Sequence, residues 1–289
     1  MVVDKESNVP NSLSVPSVAS FVIKLKSKAD ISEIVDFAKK ENLPLFILGA
    51  GTNIVPHNYI KAVVAILGSK GIEIYRNKLR VQAGEKWDDV VKISIKKGFF
   101  GLEALSGIPG TCGAAPIQNI GAYGTEISKF LDKVEVYNRK SKKIKFLSNK
   151  ECRFGYRQSI FKRYPDKFII LSVTLKLSKK KSKTNQTRAV ILKMRKQKIP
   201  NPNIIPNAGS YFINPIIKGQ KIYAGKLIEE AGLKGAKICQ VKISAQNALI
   251  LTNPNRADFE EIMKAEKFII KKVFQRFGIL LEREPRIIG

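Results

Sequence analysis

Residues 104–125, "ALSGIPGTCGAAPIQNIGAYGT", form a long neutral segment in a chain whose formal net charge is +28. Its glycines allow the backbone to approach a ligand closely, and its two prolines restrict motion. Such a segment can surround a flat, neutral group and recognise it with backbone N–H and C=O groups. A flavin ring and its pyrophosphate linker suit it well. The alternative is a surface loop, but surface loops of this length are uncommon and usually more charged.

A second glycine-rich stretch is "LGAGTN" (48–53), which follows an apolar strand pattern. Its glycines would let the backbone approach a phosphate, and Thr52 and Asn53 can donate hydrogen bonds to phosphate oxygens. The stretch lacks the G-x-G-x-x-G spacing, so it does not predict a Rossmann site. Taken alone, it is better explained as an ordinary tight turn.

Three further stretches carry side chains with chemistry. "FGYRQSIFK" (154–162) offers Arg157, whose guanidinium can bind a carboxylate with two parallel hydrogen bonds; a surface ion pair is the alternative. "NAGSYFINP" (207–215) places Ser210 in a turn, as an N-cap or as an exposed hydroxyl. "LEREPR" (281–286) places Glu282 and Glu284 at alternate strand positions, on one predicted face. Carboxylates on a terminal strand are usually only solvated.

The scarcity of histidine and cysteine excludes several chemistries. His57 is the sole histidine among 289 residues, which rules out histidine-dependent triads and multi-histidine metal sites. The cysteines (Cys112, Cys152 and Cys239) fit no zinc spacing, so we expect free thiols and no metal. Cys112, inside the neutral segment, is either a small packed hydrophobe or a reactive thiol, and packing is the favoured interpretation.

Composition indicates an ordinary globular protein, with 44% hydrophobic and 26% charged residues. No apolar run approaches the roughly 20 residues of a membrane span, and the N-terminus has no signal-peptide pattern, so we expect a cytoplasmic protein. The excess of positive charge invites a nucleic-acid interpretation, but the lysines are dispersed apart from "SKKKSK" (178–183). We therefore expect no specific nucleic-acid binding. Steering of anionic ligands, or a lysine-biased composition, would give the same charge.

The pattern of apolar residues predicts an α+β chain. A β-α-β unit is predicted from strand 21–26, a helix over 30–42 with Asp30 as N-cap, and strand "PLFIL". Further strands are predicted at 63–67, 72–75, 79–84, 134–138, 143–147, 168–177 and 247–253. Helices are predicted at about 87–97, 187–197, 224–232 and 257–276. The polar stretch 178–187 is the best linker candidate. Three units, or two and a subdomain, would fit.

Together the motifs resemble one family, the UDP-N-acetylenolpyruvoylglucosamine reductases. The resemblance covers nearly the whole chain in order. It rests on "LGAGTN", "SGIPGTCGAAPIQNIGAYGTEI", "FGYRQSIFK", "NAGSYFINP", "AGKLIEEAGLKG" and "LEREPRIIG". It implies an FAD-binding fold of the vanillyl-alcohol-oxidase (PCMH) type in two subdomains, at 15–82 and 83–180. A C-terminal α+β substrate-binding domain is implied at 190–289.

The resemblance also implies a reaction. NADPH reduces noncovalently bound FAD, and hydride then passes from flavin N5 to the terminal vinyl carbon of UDP-N-acetylglucosamine enolpyruvate. Protonation at the carbon next to the carboxylate gives UDP-N-acetylmuramate, a peptidoglycan precursor. By resemblance Arg157 stabilises the enolate, Ser210 donates the proton and Glu284 stabilises the enol form. The trailing "R-x-I-G" favours Glu284 over Glu282 for this role.

The resemblance assigns binding residues as well, and it implies a monomer that acts on a small nucleotide sugar without a membrane. The expected FAD-binding residues are Gly49, Gly51, Thr52, Asn53, Gly107, Pro109, Gly110, Gly113, Ala114, Gln118, Asn119, Gly121, Ala122 and Tyr123. The expected substrate-binding residues are Tyr156, Asn214, Lys234 and Asn247.

This chain departs from the family pattern at three places. One branch carries a substrate-covering tyrosine loop between the arginine and serine motifs, whereas here the interval is short and lysine-rich. Ile213 precedes Asn214 where some members have lysine, which puts one diphosphate contact in doubt. Cys239–Gln240 replaces a common Gly-Gly. Two other functions stay open: a flavin oxidase of small alcohols or sugars, and a basic nucleic-acid-binding protein with a degenerate flavin fold.

Overall fold

The computed structural model describes residues 2–180 and 187–289. Within them the α-helices are α1 (Asp30–Lys40), α2 (Trp87–Lys96), α3 (Ile160–Arg163), α4 (Arg188–Lys198), α5 (Ala224–Glu230) and α6 (Phe259–Phe277). Short 3-10 helices span Glu103–Leu105 and Ile127–Lys129. The strands are β1 (Val2–Asn8), β2 (Val18–Leu25), β3 (Leu45–Leu48), β4 (Ile54–Pro56), β5 (Tyr59–Leu67), β6 (Ile72–Tyr75), β7 (Lys78–Gln82), β8 (Gly121–Ala122), β9 (Thr125–Glu126), β10 (Leu131–Asn138), β11 (Lys143–Ser148), β12 (Phe168–Lys176), β13 (Asn207–Ser210), β14 (Phe212–Ile213), β15 (Ile216–Ile217), β16 (Gln220–Lys221), β17 (Lys237–Ile238), β18 (Val241–Ile243), β19 (Ile250–Thr252), β20 (Glu282–Arg283) and β21 (Arg286–Ile288).

The predicted secondary structure is largely confirmed. Every predicted helix is present with ends within about two residues, and every predicted strand overlaps an observed one. One capping prediction is wrong: Ala29 is the N-cap of α1, and Asp30 lies inside the first turn. The Asp30 carboxylate instead accepts hydrogen bonds from the backbone N–H groups of Lys26 and Ser27. Most of the predicted linker (181–186) lies outside the described residues.

The described chain forms two compact units. The first unit comprises residues 1–5, 21–50 and 62–193, and the second comprises 6–20, 51–61 and 194–289. The three-part division at 15–82, 83–180 and 190–289 stays a prediction. None of the helices in the described ranges combines the length and the apolar character that a membrane span requires.

The first unit contains a five-stranded antiparallel sheet in the order β11-β10-β12-β7-β6. Its apolar residues pack against Trp87, Val90 and Val91 of α2 and against apolar residues of the neutral segment. A second core in this unit joins one face of α1, with Ile31 and Ile34, to β3 and β5, which pair in parallel. The neutral segment is therefore built onto a rigid sheet.

A buried carboxylate, Glu135 on β10, joins parts of the first unit. Its Oε2 atom accepts hydrogen bonds from Lys28 Nζ (2.6 Å), Arg80 Nη2 (3.0 Å) and Ser172 Oγ (2.6 Å). Burial acts to raise the pKa of Glu135, but the hydrogen bonds from Lys28, Ser172 and Arg80 outweigh it and hold that pKa below its usual value. The cluster ties the turn before α1 to the sheet.

The second unit contains a four-stranded sheet in the order β13-β19-β18-β17, covered by α5 and α6. Helix α6 begins with a capping box between Asp258 and Glu261 and ends at Gly278, whose φ is +67°. The C-terminal strand β21 pairs in parallel with β4, which directly follows the "LGAGTN" turn. Strand β20 pairs with β14, which follows Ser210. This topology places the last residues of the chain beside the serine motif.

Candidate active site

Backbone hydrogen bonds fix the neutral segment to residues 83–87 of the first unit. Gly113 N donates to Ala83 O (2.8 Å), and Cys112 N donates to Glu85 O (2.8 Å). Trp87 donates from its backbone N–H to Gly110 O (3.0 Å) and from its indole Nε1 to Leu105 O (2.9 Å). The segment is therefore a shaped wall attached to the sheet rather than a loose surface loop.

Two glycines of the predicted cofactor site are required by close packing. A Cβ atom on Gly113 would lie 2.6 Å from Ala83 Cβ, and one on Gly49 would lie 2.2 Å from Thr111 Oγ1. Real side chains do not approach this closely, so both positions admit only glycine without rearrangement. Gly49 therefore brings the "LGAGTN" turn against the neutral segment.

The cradle also contains a polar atom that the protein leaves unsatisfied. Ser106 is fully buried, and within the described residues its Oγ has no hydrogen-bond partner. A buried hydroxyl without a partner costs about 1–3 kcal/mol, so such a group points to a ligand or an ordered water. Glycine-lined walls, backbone donors and this hydroxyl fit a polar, flat cofactor such as FAD.

Asn119 is a structural centre of the segment. It is fully buried with φ +48°, and its Nδ2 donates to Glu126 Oε2 (2.9 Å) and Gly155 O (3.0 Å). Its Oδ1 accepts from Ser128 N (3.1 Å). The side chain is thus used within the protein, so any contact of Asn119 with the cofactor would come from its backbone.

An ion pair supports the start of the cradle. Asp88 on α2 accepts hydrogen bonds from Arg188 Nη1 (2.5 Å) and Nη2 (2.6 Å), and its Oδ1 also accepts from Gly107 N (2.6 Å). Arg188 is the first residue of α4. The bidentate pair therefore fixes the carboxylate that orients Gly107.

Replacing Arg188 by lysine should weaken FAD binding about fivefold to tenfold, because one of the two parallel hydrogen bonds to Asp88 is lost and Gly107 becomes less well oriented. Titration of the apoprotein with FAD, followed by quenching of flavin fluorescence, measures this. Lys193→Arg, at an exposed position of the same helix, is the matched control and should bind FAD like the wild type. Equal affinities for R188K and the wild type would exclude the supporting role.

The arginine motif is a tight turn that contacts the neutral segment. Gly155 and Gln158 exchange backbone hydrogen bonds (3.0 and 3.1 Å), so Tyr156 and Arg157 are its central residues. Arg157 has φ +52°, a region that costs a non-glycine residue energy and often marks functional positions. Its Nη2 donates to Gly121 O (3.1 Å), and its guanidinium carbon lies 5.5 Å from the Tyr156 ring centroid. The guanidinium thus lies at the glycine-rich wall.

The cysteine of the neutral segment is a packing residue. Cys112 is fully buried within the apolar core of the first unit, and burial raises the pKa of its thiol far above the usual range. Burial likewise raises the pKa of Cys152 to about 12. A thiol in such surroundings is not ionised near neutral pH and is a poor nucleophile.

In the second unit, Ser210 and Glu284 come together on neighbouring strands. Glu284 N donates to Tyr211 O (2.8 Å), which extends the pairing of Phe212 with Arg283 by one step. Ser210 is half-buried, and the backbone turns before it at Gly209, where φ is +74°. Asn207 Oδ1 accepts from Gly209 N (3.0 Å) and fixes this turn.

The expectation that Glu282 and Glu284 share one face is wrong. Glu282 is exposed, whereas Glu284 is 9% exposed. Strand β20 ends at Arg283, and Pro285 interrupts the chain before β21, so alternation does not continue across this segment. The difference in burial supports Glu284 as the functional carboxylate.

The other predicted site residues have defined places. Asn214 Oδ1 accepts from Ala224 N (2.9 Å) at the start of α5, and Asn247 Oδ1 accepts from Leu249 N (3.0 Å). Lys234 Nζ lies 2.7 Å from Glu229 Oε1. Gly51 is buried, and Asn53 O accepts from Arg286 N (3.0 Å), in the second unit. Seven further residues belong to the wall of the first unit: Gly107, Pro109, Gly110, Ala114, Gln118, Ala122 and Tyr123.

Sequence reasoning missed a buried cluster beside Ser210. Tyr211 is fully buried, and its hydroxyl donates to Glu266 Oε2 (2.8 Å) on α6. Arg283 Nη1 lies 3.3 Å from the same oxygen. The available signal was a glutamate at a position of α6 where the helical period requires an apolar residue.

The α+β fold, the glycine-lined wall and the adjacent guanidinium define a flavin-binding oxidoreductase. Residues 19–146 match the FAD binding domain family, and residues 200–288 match the C-terminal domain of UDP-N-acetylenolpyruvoylglucosamine reductase. The chain is 32% identical to that reductase of Pseudomonas aeruginosa, over 96% of each protein, and 40% identical to that of Buchnera aphidicola, over 86% and 88% respectively.

A solved structure gives the same result. The reductase of Thermus caldophilus superimposes with a TM-score of 0.76 at 26% identity, covering 96% of both chains. The chain belongs to the UDP-N-acetylenolpyruvoylglucosamine reductase family and is an FAD-dependent oxidoreductase. The family resemblance, the FAD cofactor and the FAD-binding fold expected from the sequence are thereby confirmed.

Proposed function

We propose that this chain reduces UDP-N-acetylglucosamine enolpyruvate to UDP-N-acetylmuramate with NADPH as the hydride donor, in peptidoglycan precursor synthesis. The reductases to which it is similar are named for an enolpyruvyl glucosamine substrate. The observation that carries the proposal is the hydrogen bond from Glu284 N to Tyr211 O, which places a buried carboxylate beside the residue that follows Ser210.

The chemistry that bound FAD supplies is hydride transfer, from NADPH to the terminal vinyl carbon of the enolpyruvyl group. The charge that develops next to the substrate carboxylate requires positive charge and hydrogen-bond donors. Arg157 supplies both from a turn whose backbone is fixed at positive φ. The arginine is therefore pre-oriented rather than recruited during the reaction.

Ser210 donates the proton to the carbon next to the carboxylate. A serine hydroxyl is a weak acid, but a carbanion-like enolate is a strong base, so transfer is feasible once the geometry is fixed. The Asn207–Gly209 turn provides that fixation. Glu284, which is buried, stabilises the enol form of the developing product.

For FAD we propose the backbone of the two glycine-rich segments. Gly49 and Gly113 allow the close approach, and Ser106 adds a hydroxyl that the sequence did not indicate. The full proposed set is Gly49, Gly51, Thr52, Asn53, Ser106, Gly107, Pro109, Gly110, Gly113, Ala114, Gln118, Asn119, Gly121, Ala122 and Tyr123. We propose noncovalent binding, since the His57 ring is stacked on Phe259 at 3.7 Å.

For the nucleotide sugar we propose Tyr156, Asn214, Lys234 and Asn247. Asn214 and Asn247 are held by backbone hydrogen bonds, so their amide groups are pre-oriented. The net charge of +28 would attract a substrate that carries a diphosphate and a carboxylate. We further propose that the protein acts as a monomer in the cytoplasm.

The test begins with the purified protein and its visible spectrum. We expect a flavin spectrum, rapid bleaching by NADPH without oxygen, and reoxidation when the enolpyruvyl nucleotide sugar is added. NADH in place of NADPH and UDP-N-acetylglucosamine in place of the substrate are the controls. A colourless protein that FAD cannot reconstitute, or reduced flavin that the substrate does not reoxidise, would overturn the proposal. Reduction of the flavin by small alcohols instead of NADPH would indicate an oxidase.

A further inference from the structure

The cluster of Tyr211, Glu266 and Arg283 is buried within the second unit. One carboxylate oxygen, Glu266 Oε2, accepts the Tyr211 hydroxyl at 2.8 Å and lies 3.3 Å from Arg283 Nη1. Arg283 Nη1 also lies 3.5 Å from Met263 Sδ, one turn earlier on α6. Tyr211 is fully buried, and Glu266 is 7% exposed. A single acidic side chain of α6 thus contacts two different strands.

The two contacted residues flank the proposed chemistry. Tyr211 directly follows Ser210, and Arg283 directly precedes Glu284. The two strands are themselves joined by the Phe212–Arg283 pairing and by the hydrogen bond from Glu284 N to Tyr211 O. Movement of either Tyr211 or Arg283 would therefore move a proposed reacting side chain.

Helix α6 is a firm base for this contact. It is 19 residues long, is capped at both ends, and buries Ile262, Ala265 and Ile269 beside Glu266. Burial raises the pKa of Glu266, while the hydrogen bond from Tyr211 and the charge of Arg283 oppose that rise. A polar group at this depth is expensive unless it is satisfied, so its partners are kept in one arrangement.

We propose that Glu266 is a positioning residue, which fixes Tyr211 and Arg283 and through them sets the placement of Ser210 and Glu284. This inference rests on the proposed function, because it assigns Glu266 a role in the proton-transfer half of that reaction. Misplacement of a reacting group by about 1 Å can cost about 100-fold in rate, so a change in a supporting residue is measurable.

The test compares the two half-reactions in Glu266→Gln and Tyr211→Phe. Both variants preserve shape: the first removes the charge that faces Arg283, and the second removes only the hydroxyl. We expect flavin reoxidation by the enolpyruvyl substrate to slow about tenfold, with reduction by NADPH unchanged per bound flavin. The solvent deuterium isotope effect on reoxidation should rise, because proton donation becomes more rate-limiting. Glu260→Gln, exposed on the same helix, is the control and should behave like the wild type.

A second measurement separates positioning from simple stability. In a Ser210→Ala background, Glu266→Gln should slow reoxidation by no more than about twofold, because groups that act as a unit are non-additive. If E266Q only lowers the melting temperature, or slows both half-reactions equally, the inference is overturned. If E266Q does not fold, Y211F, which keeps the ring, decides the question. Failure of the proposed function looks different: the wild type itself would show no substrate-dependent reoxidation.

Discussion

Replacing Ser210 by alanine should slow reoxidation of the reduced flavin by the enolpyruvyl substrate at least about 100-fold, which corresponds to about 3 kcal/mol of barrier. The change removes the proposed proton donor, and the carbon next to the carboxylate would have to take its proton from water. Reduction of FAD by NADPH requires no such proton and should be nearly unchanged. Stopped-flow absorbance under anaerobic conditions measures each half-reaction separately.

The control for this variant is Ser244→Ala, a serine of the same unit whose hydroxyl accepts a hydrogen bond from Gln246 N. It should leave both half-reactions at the wild-type rate. Because Ser210 is half-buried and carries a short side chain, its truncation should leave the fold intact. Equal slowing of the two half-reactions by S210A would contradict the proton-donor assignment and point to a general defect in FAD binding.

Helices and strands of this chain could be predicted because each carries its own periodic pattern. Helix α6 shows apolar residues at helical spacing and a capping pair, Asp258 and Glu261, that is visible in the sequence alone. Boundaries were less predictable. Asp30 is a good N-cap residue by type, yet its carboxylate binds the backbone N–H groups of Lys26 and Ser27 in the preceding turn.

Contacts between distant residues were not predictable from local pattern. Tyr211 and Glu266 are 55 positions apart, and Arg188 and Asp88 are 100 apart. Neither pair leaves a local signal that names its partner. The glycines of "LGAGTN" illustrate the same limit: the sequence indicated close approach, but not that Gly49 would face Thr111.

The candidate site was predicted better than its supports. The motif residues Arg157, Ser210 and Glu284 stand out because arginine, serine and glutamate in neutral or glycine-rich surroundings are chemically distinctive. Burial decided between Glu282 and Glu284, because Pro285 ends the regular strand alternation on which the prediction of a shared face depended. Supporting residues such as Asn119 and Glu266 resemble ordinary polar residues until their partners are known.

Arg157 allows a test in which activity and stability change in opposite directions. Arg157→Gly and Arg157→Ala should both slow substrate-dependent reoxidation by about 100-fold to 1000-fold, because each removes the guanidinium that stabilises the developing negative charge. The two variants should nevertheless differ in stability. Alanine retains the cost of a side chain at φ +52°, which glycine avoids.

We therefore expect R157G to have a free energy of unfolding about 1 kcal/mol higher than that of R157A, measured by urea denaturation of the holoenzymes at equal FAD concentration. Both lose the hydrogen bond to Gly121 O and the contact with the Tyr156 ring, so those losses cancel in the comparison. Ala189→Gly in helix α4 is the control with the opposite sign, since glycine in a helix costs about 1 kcal/mol. If R157A proves as stable as R157G, the turn is not strained, and Arg157 occupies positive φ without energetic cost. If R157G is the more stable, the chain retains a strained arginine because its guanidinium is needed at Gly121.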